Sequence, residues 1–568
     1  METVPLETPF AARTEVPPKP VSGLEPLKLP VFRGRWIAST VSSVGTWMQD
    51  TAGTWLMTTL TASPLLIALM QTAASLPVLG LGLLAGATAD LFDRRRLLIF
   101  WQSWMLGSVA ILAVLTFLGH ISPWALLAFT FLLNFGSAMN NPAWQAIVPE
   151  LVPKELIPEA VSLNAASNNL ARAVGPALGG LMVAAFARVD TGSAWVFLLN
   201  SISFAGVIWV LVNWKRIPLF KSALPSERVA ASIRTGLRYI RHAPNLQASL
   251  LRAFTFTFFF SAVWSLLAVV ARNDMRHGPL AGALGYGILN GSLGLGAVTA
   301  AFTLARVRMR LSTDRIIAIA TAYSVVTMAA LARVHRPAII IPVLLVAGYC
   351  WTSTMASLNT SVQVSVPAWV KARTLGTYLM TFQGGLALGS VLWGAIAQAK
   401  GTAFSLECAA VGFAASYPVT RRFHILRGGV PDLTPHQYKR AAPELAPIPG
   451  GEEENDPAEV GPVRISIEYR IPVENYAEFT RLVHKLRAVR LRGGALRWGI
   501  YRDATNPERL NETFIMESWL DYLRSRERMT AADDAIRRSV WELNRDDEPP
   551  RVTHQIYAKE IAGDMSEA

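Results

Sequence analysis

The strongest constraint on this chain is a series of apolar stretches, each about as long as a lipid hydrocarbon core is thick. Twelve of them run at approximately 34–59, 65–88, 96–118, 123–142, 159–187, 194–213, 247–271, 281–304, 314–333, 337–358, 374–399 and 403–420. About twenty helical residues cross a core of ~30 Å. Lipid cannot satisfy an open backbone, so each stretch is predicted to be a helix. The chain is 52% hydrophobic and only 16% charged, which excludes an ordinary soluble protein of 568 residues. The charge gathers at both ends and between the runs.

The runs fall into two related sets. Residues 141–149 read N-P-A-W-Q-A-I-V-P and residues 359–367 read N-T-S-V-Q-V-S-V-P. Asn141, Gln145, Val148 and Pro149 match Asn359, Gln363, Val366 and Pro367 at identical spacing. The helix after each phrase carries glycines in register: Gly175 and Gly180 answer to Gly389 and Gly394. The fold class expected is therefore an all-α polytopic membrane protein of twelve helices in two six-helix repeats, 31–213 and 247–424. A substrate site between internal repeats is the architecture of many secondary transporters.

Lys and Arg orient the bundle. Arg94, Arg95 and Arg96, Lys154, the 214–246 loop, Arg306, Arg308, Arg310, Lys371 and Arg373 share one side. That side is predicted to be cytoplasmic, with both termini there. The net charge of +13 is then mainly a topology signal, and basic residues interleaved with aromatic platforms for nucleic acid are not evident. Residues 1–30 are proline-studded and polar, without the pattern of a cleaved signal peptide, and read as a cytoplasmic lead-in. Within the central loop, Val229, Ile233, Leu237 and Ile240 lie on one helical face with arginines elsewhere, the pattern of an interfacial helix. Cys350 and Cys408 sit in apolar runs and suit packing rather than a disulfide or metal site.

A Pro-, Gly- and acid-rich linker at 425–462 leads to a segment, 463–568, of different character. V-R-I-S-I-E-Y-R-I alternates like a strand, Asn475–Arg490 is helical, A-L-R-W-G-I-Y and E-T-F-I-M-E-S-W read as strands, Asp521–Leu543 as helix, and V-T-H-Q-I-Y-A as a last strand. The order βαββαβ predicts an α+β, ferredoxin-like cytoplasmic domain. His484 and Trp498 suggest chemistry there, but no metal spacing, phosphate loop or nucleophile constellation accompanies them. A regulatory or self-associating module is the expectation, and a membrane-anchored enzyme the rival.

Two charges lie deep in the first repeat. Asp50 on the first run and Arg172 on the fifth both fall roughly 20–24 Å from the cytoplasmic helix ends at ~1.5 Å per residue. Each charge at the bilayer centre costs about 2.5–3.5 kcal/mol, so a shared wet cavity or an ion pair is expected. Asp50 is the candidate for proton coupling, with Arg172 beside it; a purely structural pair is the alternative. Asn164 and Asn168 step toward Arg172 every four residues. Gln49, Gln71, Asn134, Asn290 and Gln383 are further polar cavity candidates, and Trp47, Trp55 and Phe382 aromatic ones.

The loop G-A-T-A-D-L-F-D-R-R-R at 86–96 resembles the signature loop of the major facilitator superfamily. Gly86, Asp90, Arg94 and Arg95 match; Leu91 departs at the usual basic position and Asp93 at the usual second glycine. Together with N-P-A-W-Q-A-I-V-P and N-L-A-R-A-V-G-P-A-L-G-G, it resembles the enterobactin-exporter-like transmembrane secretion effectors. The resemblance implies that Asp90 meets the start of the eleventh span, near Arg373, as a cytoplasmic gate. It also makes Gly175, Pro176, Gly179 and Gly180 similar to an exporter's antiporter motif, although Ser162 and Ala171 replace its upstream glycines. The expected activity is proton-antiport export of a small amphipathic molecule, of siderophore or drug class, across a bacterial inner membrane, with facilitated uptake of a solute or lipid as the alternative within transport. The partners expected are lipid, protons and that substrate, with self-association through the C-terminal domain. No cofactor is expected, and no nucleotide-binding loop is evident, so an ion gradient supplies the energy.

Overall fold

Proline and small polar caps set where the long helices begin. Helix α1 (Pro30–Leu60) opens on Pro30, α2 (Pro64–Leu91) on Pro64 and α4 (Pro123–Ala146) on Pro123, a position where the missing N–H has no intrahelical partner to lose. Ser63 and Ser122 accept from Leu66 and Ala125 backbone N–H groups at 3.3 and 3.2 Å. Helix α3 (Arg94–Phe117) starts at Asp93, whose carboxylate accepts from the Arg96 N–H at 2.9 Å. The acid that departs from the superfamily signature is thus this chain's helix cap.

The computed structural model describes residues 24–214, 229–274, 282–425, 431–434, 460–545 and 550–557. The expected lead-in up to residue 23, most of the linker, the basic residues Lys215, Arg216, Lys221, Arg228 and Arg276, and the last residues lie outside the described set. The first half continues with α5 (Ile157–Ala184) and α6 (Val189–Asn213). A shorter helix α7 (Val229–Arg241) precedes the second half: α8 (Pro244–Asp274), α9 (Ala283–Arg310), α10 (Thr313–Arg333), α11 (Pro337–Val364), α12 (Lys371–Lys400) and α13 (Thr402–Thr420). Eight of the described helices are long and apolar enough to cross a membrane. The other four long ones, α1, α4, α5 and α13, pack into the same bundle, and three of them carry Asp50, Asn134 and Arg172.

The repeat is visible as contacts. Gln145 Nε2 donates to Asn141 Oδ1 at 3.1 Å, and Gln363 Nε2 to Asn359 Oδ1 at 2.7 Å, so the duplicated phrase makes the same side-chain bond twice. A Cβ on Gly175 would meet Trp47 of α1, and one on Gly389 would meet Phe258 and Ser261 of α8. A Cβ on Gly180 would meet Ala283 and Gly287 of α9, and one on Gly394 would meet Ala68 of α2. Each glycine of one half thus does for its neighbours what its counterpart does in the other. The halves join along two seams, α5 on α9 and α2 on α12.

The C-terminal domain has strands β1 (Val463–Arg470), β2 (Arg497–Arg502), β3 (Arg509–Met516) and β4 (Arg551–Ile556), ordered β2-β3-β1-β4 and antiparallel between neighbours. Val463 faces Met516 on one side and Ile556 on the other. The first helix, α14 (Tyr476–Gly493), is continuous. The second, expected as one helix over 521–543, is broken into α15 (Trp519–Glu527) and α16 (Ala531–Trp541). The break is chemical: Thr530 accepts from the Asp533 N–H at 3.2 Å while Asp533 accepts from the Thr530 N–H at 3.3 Å, a capping box that starts a new helix.

This domain buries Glu512 completely. Its carboxylate accepts from Tyr469 Oη at 2.9 Å, Arg490 Nε at 3.0 Å, Arg490 Nη2 at 3.4 Å and Trp498 Nε1 at 2.9 Å, which fills its acceptor sites. A buried ion pair is costly to break from one side. Glu512→Ala should therefore destabilise the domain by about 3–5 kcal/mol. Limited proteolysis of the full chain reads this as earlier cleavage within 463–557; unchanged cleavage would show the network to be dispensable.

Helix α7 packs between the membrane domain and the C-terminal domain. Gly236, Tyr239 and Ala243 turn toward the membrane domain, with Tyr239 edge-on to Trp369 at 5.7 Å and Gly236 against Arg373. Leu237 instead stays 55% exposed beside the C-terminal domain. Burial pushes the Tyr239 phenol up to about 12, so it stays protonated at this junction. The side chains of Val229 and Ile233 lie outside the described set.

Candidate functional site: a cavity between the halves

The close glycine contacts bring polar helix faces together. Gly175 and Gly179 let α5 lie directly on Trp47 and Met48 of α1. Arg172, one turn before Gly175, then reaches Trp47 and stacks over its ring at 5.2 Å. Asp50 is one turn further along α1. Both line a central cavity of about 270 Å³, bounded by α1 to α6, α8, α9, α11 and α12.

Of the residues singled out from sequence, Asp50, Arg172, Gln49, Gln71, Asn290 and Gln383 line this cavity, as do Trp47 and Phe382. Asp50 is open to it and is the one carboxylate among the lining residues. Asp50 and Arg172 share the space without an ion pair between them. Gln49 is buried, accepting from Asn200 Nδ2 at 2.6 Å, and Gln71 donates to Ser75 at 3.1 Å. Asn290 donates across the halves to Thr51 at 3.4 Å.

Other candidates are placed elsewhere. Asn164 and Asn168 sit two turns and one turn nearer the start of α5 than Arg172, with Ser43 donating to Asn168 at 3.4 Å, and neither lines the cavity. Asn134 donates to the Thr130 carbonyl at 2.9 Å and is likewise outside the lining, although Thr130 is in it. Trp55 stacks on Tyr286 at 5.9 Å, closing the cavity on the side away from the N-terminus. Two further bonds join the halves there: Ser63 to Gln398 at 2.8 Å and Arg272 to the Thr61 carbonyl at 2.7 Å. Glu407 pairs with Arg333 at 2.8 Å at that same end.

The signature-loop residues lie at the opposite end. Arg95 donates to the carbonyls of Leu211 and Val212 at 2.8 and 2.5 Å, so it satisfies orphan carbonyls at the end of α6. Gly86 has open space where a Cβ would stand. The Asp90 side chain lies outside the described set; its backbone is in the last turn of α2. Arg94 precedes Arg95 in the first turn of α3, and Arg373 packs on α7.

Sequence reading missed the aromatic wall. Trp264 and Trp351 meet edge to face at 5.9 Å, and Trp351 leans on Phe382 at 5.8 Å, all from the second half. The first half supplies both charges, and the four amides divide evenly, Gln49 and Gln71 from the first half and Asn290 and Gln383 from the second. Arg172 Nε, Trp264 Nε1 and Ser265 Oγ are buried without hydrogen-bond partners among the described residues. A molecule with one polar acceptor face and one flat apolar face complements such a cavity. Tyr286 and Asn200 were also missed; Asn200, an amide buried in an apolar span, was the one with a readable signal.

Two sets of helices, related by matched contacts and enclosing a cavity at their seam, make up the major facilitator fold. Solved structures share that fold: a bacterial nucleoside transporter, NupG, aligns with a TM-score of 0.58 at 12% identity, over 69% of this chain and 98% of that one. A bacterial homologue of the lysosomal transporter Spinster, inward-facing and unoccupied, gives 0.56 at 13% identity, over 70% and 98%. The chain belongs to the transmembrane secretion effector family, whose model matches residues 21–561. It is 30% identical over 237 residues to an uncharacterized MFS-type transporter, YfiS, of Bacillus subtilis, covering 40% of this chain and 54% of that protein. It is 31% identical over 144 residues to the staphyloferrin A transporter of Staphylococcus aureus, covering 25% and 36%. The multidrug efflux pump Tap of Mycolicibacterium fortuitum is 24% identical over 384 residues, 64% of this chain and 88% of that pump. The first two matches thus span about half, or less, of those relatives' lengths.

Proposed function

We propose that this transporter exports a small amphipathic molecule, of siderophore or drug class, by proton antiport. The observation that carries the reading is the cavity itself, where a lone carboxylate and a guanidinium face an aromatic wall. Asp50 exchanges a proton with substrate, and Arg172 balances its charge when ionised. The aromatic side accepts the flat part of the substrate. The Lys and Arg distribution supports cytoplasmic termini; in that orientation the Trp55–Tyr286 stack is on the periplasmic side and the cavity loads from the inside. Rocking of the halves about this cavity gives alternating access. The names of two relatives, a staphyloferrin A transporter and a multidrug efflux pump, support the substrate class. The C-terminal α+β domain, with its ferredoxin-like strand order, acts as a regulatory or self-associating cytoplasmic module.

Everted membrane vesicles with an acidified lumen test the reading. Siderophores and cationic dyes are added in turn, and lumenal pH is followed. A substrate of an antiporter draws protons out of the lumen as it enters. Substrate entry with no proton movement would replace antiport by facilitation. Loss of all transport without the C-terminal domain would place an essential activity in that domain.

A further inference from the structure

A second groove lies far from the central cavity, between α7 and the β2 edge of the C-terminal domain, and measures about 790 Å³. Five arginines line it from three elements: Arg234, Arg238 and Arg241 of α7, Arg487 of α14 and Arg497 of β2. No Asp or Glu is among its lining residues. Arg234 reaches Glu517 at 3.5 Å, and Arg238 donates to the Gly494 carbonyl at 2.6 Å. Arg241, Arg487 and Arg497 are exposed and make no ion pair among the described residues. Like charges gathered in one concavity repel, and an entering anion relieves that repulsion. Guanidinium groups suit phosphate because they offer paired donors in one plane.

The same groove exposes apolar surface. Leu237, Leu496 and Tyr501 are 55%, 43% and 61% exposed there. Trp498 has committed its N–H to Glu512, so it offers the groove only its ring. A bare inorganic anion would leave this surface wet. We propose that the groove binds a phosphate monoester bearing an apolar chain, with the phosphate on Arg241, Arg487 and Arg497 and the chain along Leu237 and Leu496. Phosphatidic acid of the adjoining leaflet and a free amphiphilic phosphate monoester share this chemistry. Because α7 touches Arg373 through Gly236, the ligand fastens the C-terminal domain to the start of α12.

The test uses the full-length protein in non-ionic detergent and measures binding by calorimetry. The probes are dioctanoyl phosphatidic acid, dioctanoyl phosphatidylcholine and glycerol 3-phosphate. Phosphatidic acid should bind at least about tenfold more tightly than phosphatidylcholine, and Arg241→Gln/Arg487→Gln/Arg497→Gln should weaken it by about tenfold or more. Glycerol 3-phosphate binding as tightly as phosphatidic acid would assign the site to a soluble phosphate and remove the apolar-chain part of the proposal. Leu237→Ser should weaken phosphatidic acid and leave glycerol 3-phosphate unchanged. Should the triple variant melt early, Arg497→Gln alone, exposed on an edge strand, serves in its place. Phosphatidic acid binding that is equal in wild type and variants, or no tighter than phosphatidylcholine, overturns the site.

Discussion

Asp50→Asn should abolish the dependence of substrate accumulation on the pH gradient while leaving substrate binding in place. Asparagine keeps the shape and the hydrogen-bonding capacity of the side chain but cannot carry a titrating proton. One coupled proton contributes about 1.4 kcal/mol per unit of pH gradient, which is about a tenfold change in attainable substrate gradient. Wild-type vesicles with a one-unit gradient should therefore accumulate about ten times more substrate than the variant for each coupled proton. The single carboxylate in the cavity lining makes the assignment sharp: among those residues no second acid stands ready to take over. Arg172→Gln is the informative companion. It removes the guanidinium that shares the cavity with Asp50 and leaves the carboxylate facing an apolar and amide wall. Accumulation in Asp50→Asn that still rises with the pH gradient would remove Asp50 from the coupling step.

How much of this was legible in the sequence depends on what kind of signal each feature leaves. The helices and the repeat left strong ones. Spacing alone paired Asn141–Gln145 with Asn359–Gln363, and the same side-chain bond forms in both places. Polar residues in apolar runs also stand out, and six of them meet at the cavity. What spacing cannot give is depth. Asn164 and Asn168 share a flank with Arg172 but sit about 12 and 6 Å nearer the helix start, below the cavity. Trp264 and Trp351 left no signal at all, because an aromatic residue in an apolar run has the same hydropathy whether it faces lipid, neighbouring helices or a substrate. The signature loop carries a second role that its pattern does not announce. Arg95 matches a gating pattern and also donates from Nε and Nη2 to two carbonyls at the end of α6. The second helix of the C-terminal domain read as continuous because Thr530 and Asp533 look like ordinary polar positions until their reciprocal cap is seen.

Gly180→Val should stop transport without preventing insertion or folding of the bundle. Gly180 lies where α5 crosses α9, and the contact is backbone on backbone. A Cβ there would come within 2.6 Å of the Ala283 carbonyl oxygen and 2.9 Å of Gly287 Cα. A flexible side chain can move aside, but a carbonyl in a helix cannot without moving the helix. Overpacking of this kind costs about 1–3 kcal/mol, enough to shift a seam yet short of unfolding a large bundle. The seam matters because it is where the halves must move against each other, and because it carries the site. Ala173, next to Arg172, packs against Gly294, and Asn290 stands one turn before Gly294 on α9. Wedging α5 from α9 therefore changes the separation of Arg172 and Asn290 across the cavity. The counterpart Gly394→Val should be milder, since its nearest neighbour is the Ala68 methyl at 2.6 Å rather than a backbone carbonyl. Gly80→Val and Gly206→Val should be harmless at their open positions. Transport rates in vesicles, normalised to folded protein by size-exclusion profile, give the ranking Gly180 below Gly394 below Gly80 and Gly206. Wild-type transport in a well-folded Gly180→Val would mean that the α5–α9 seam is slack, and the rocking motion would then have to turn on α2 and α12.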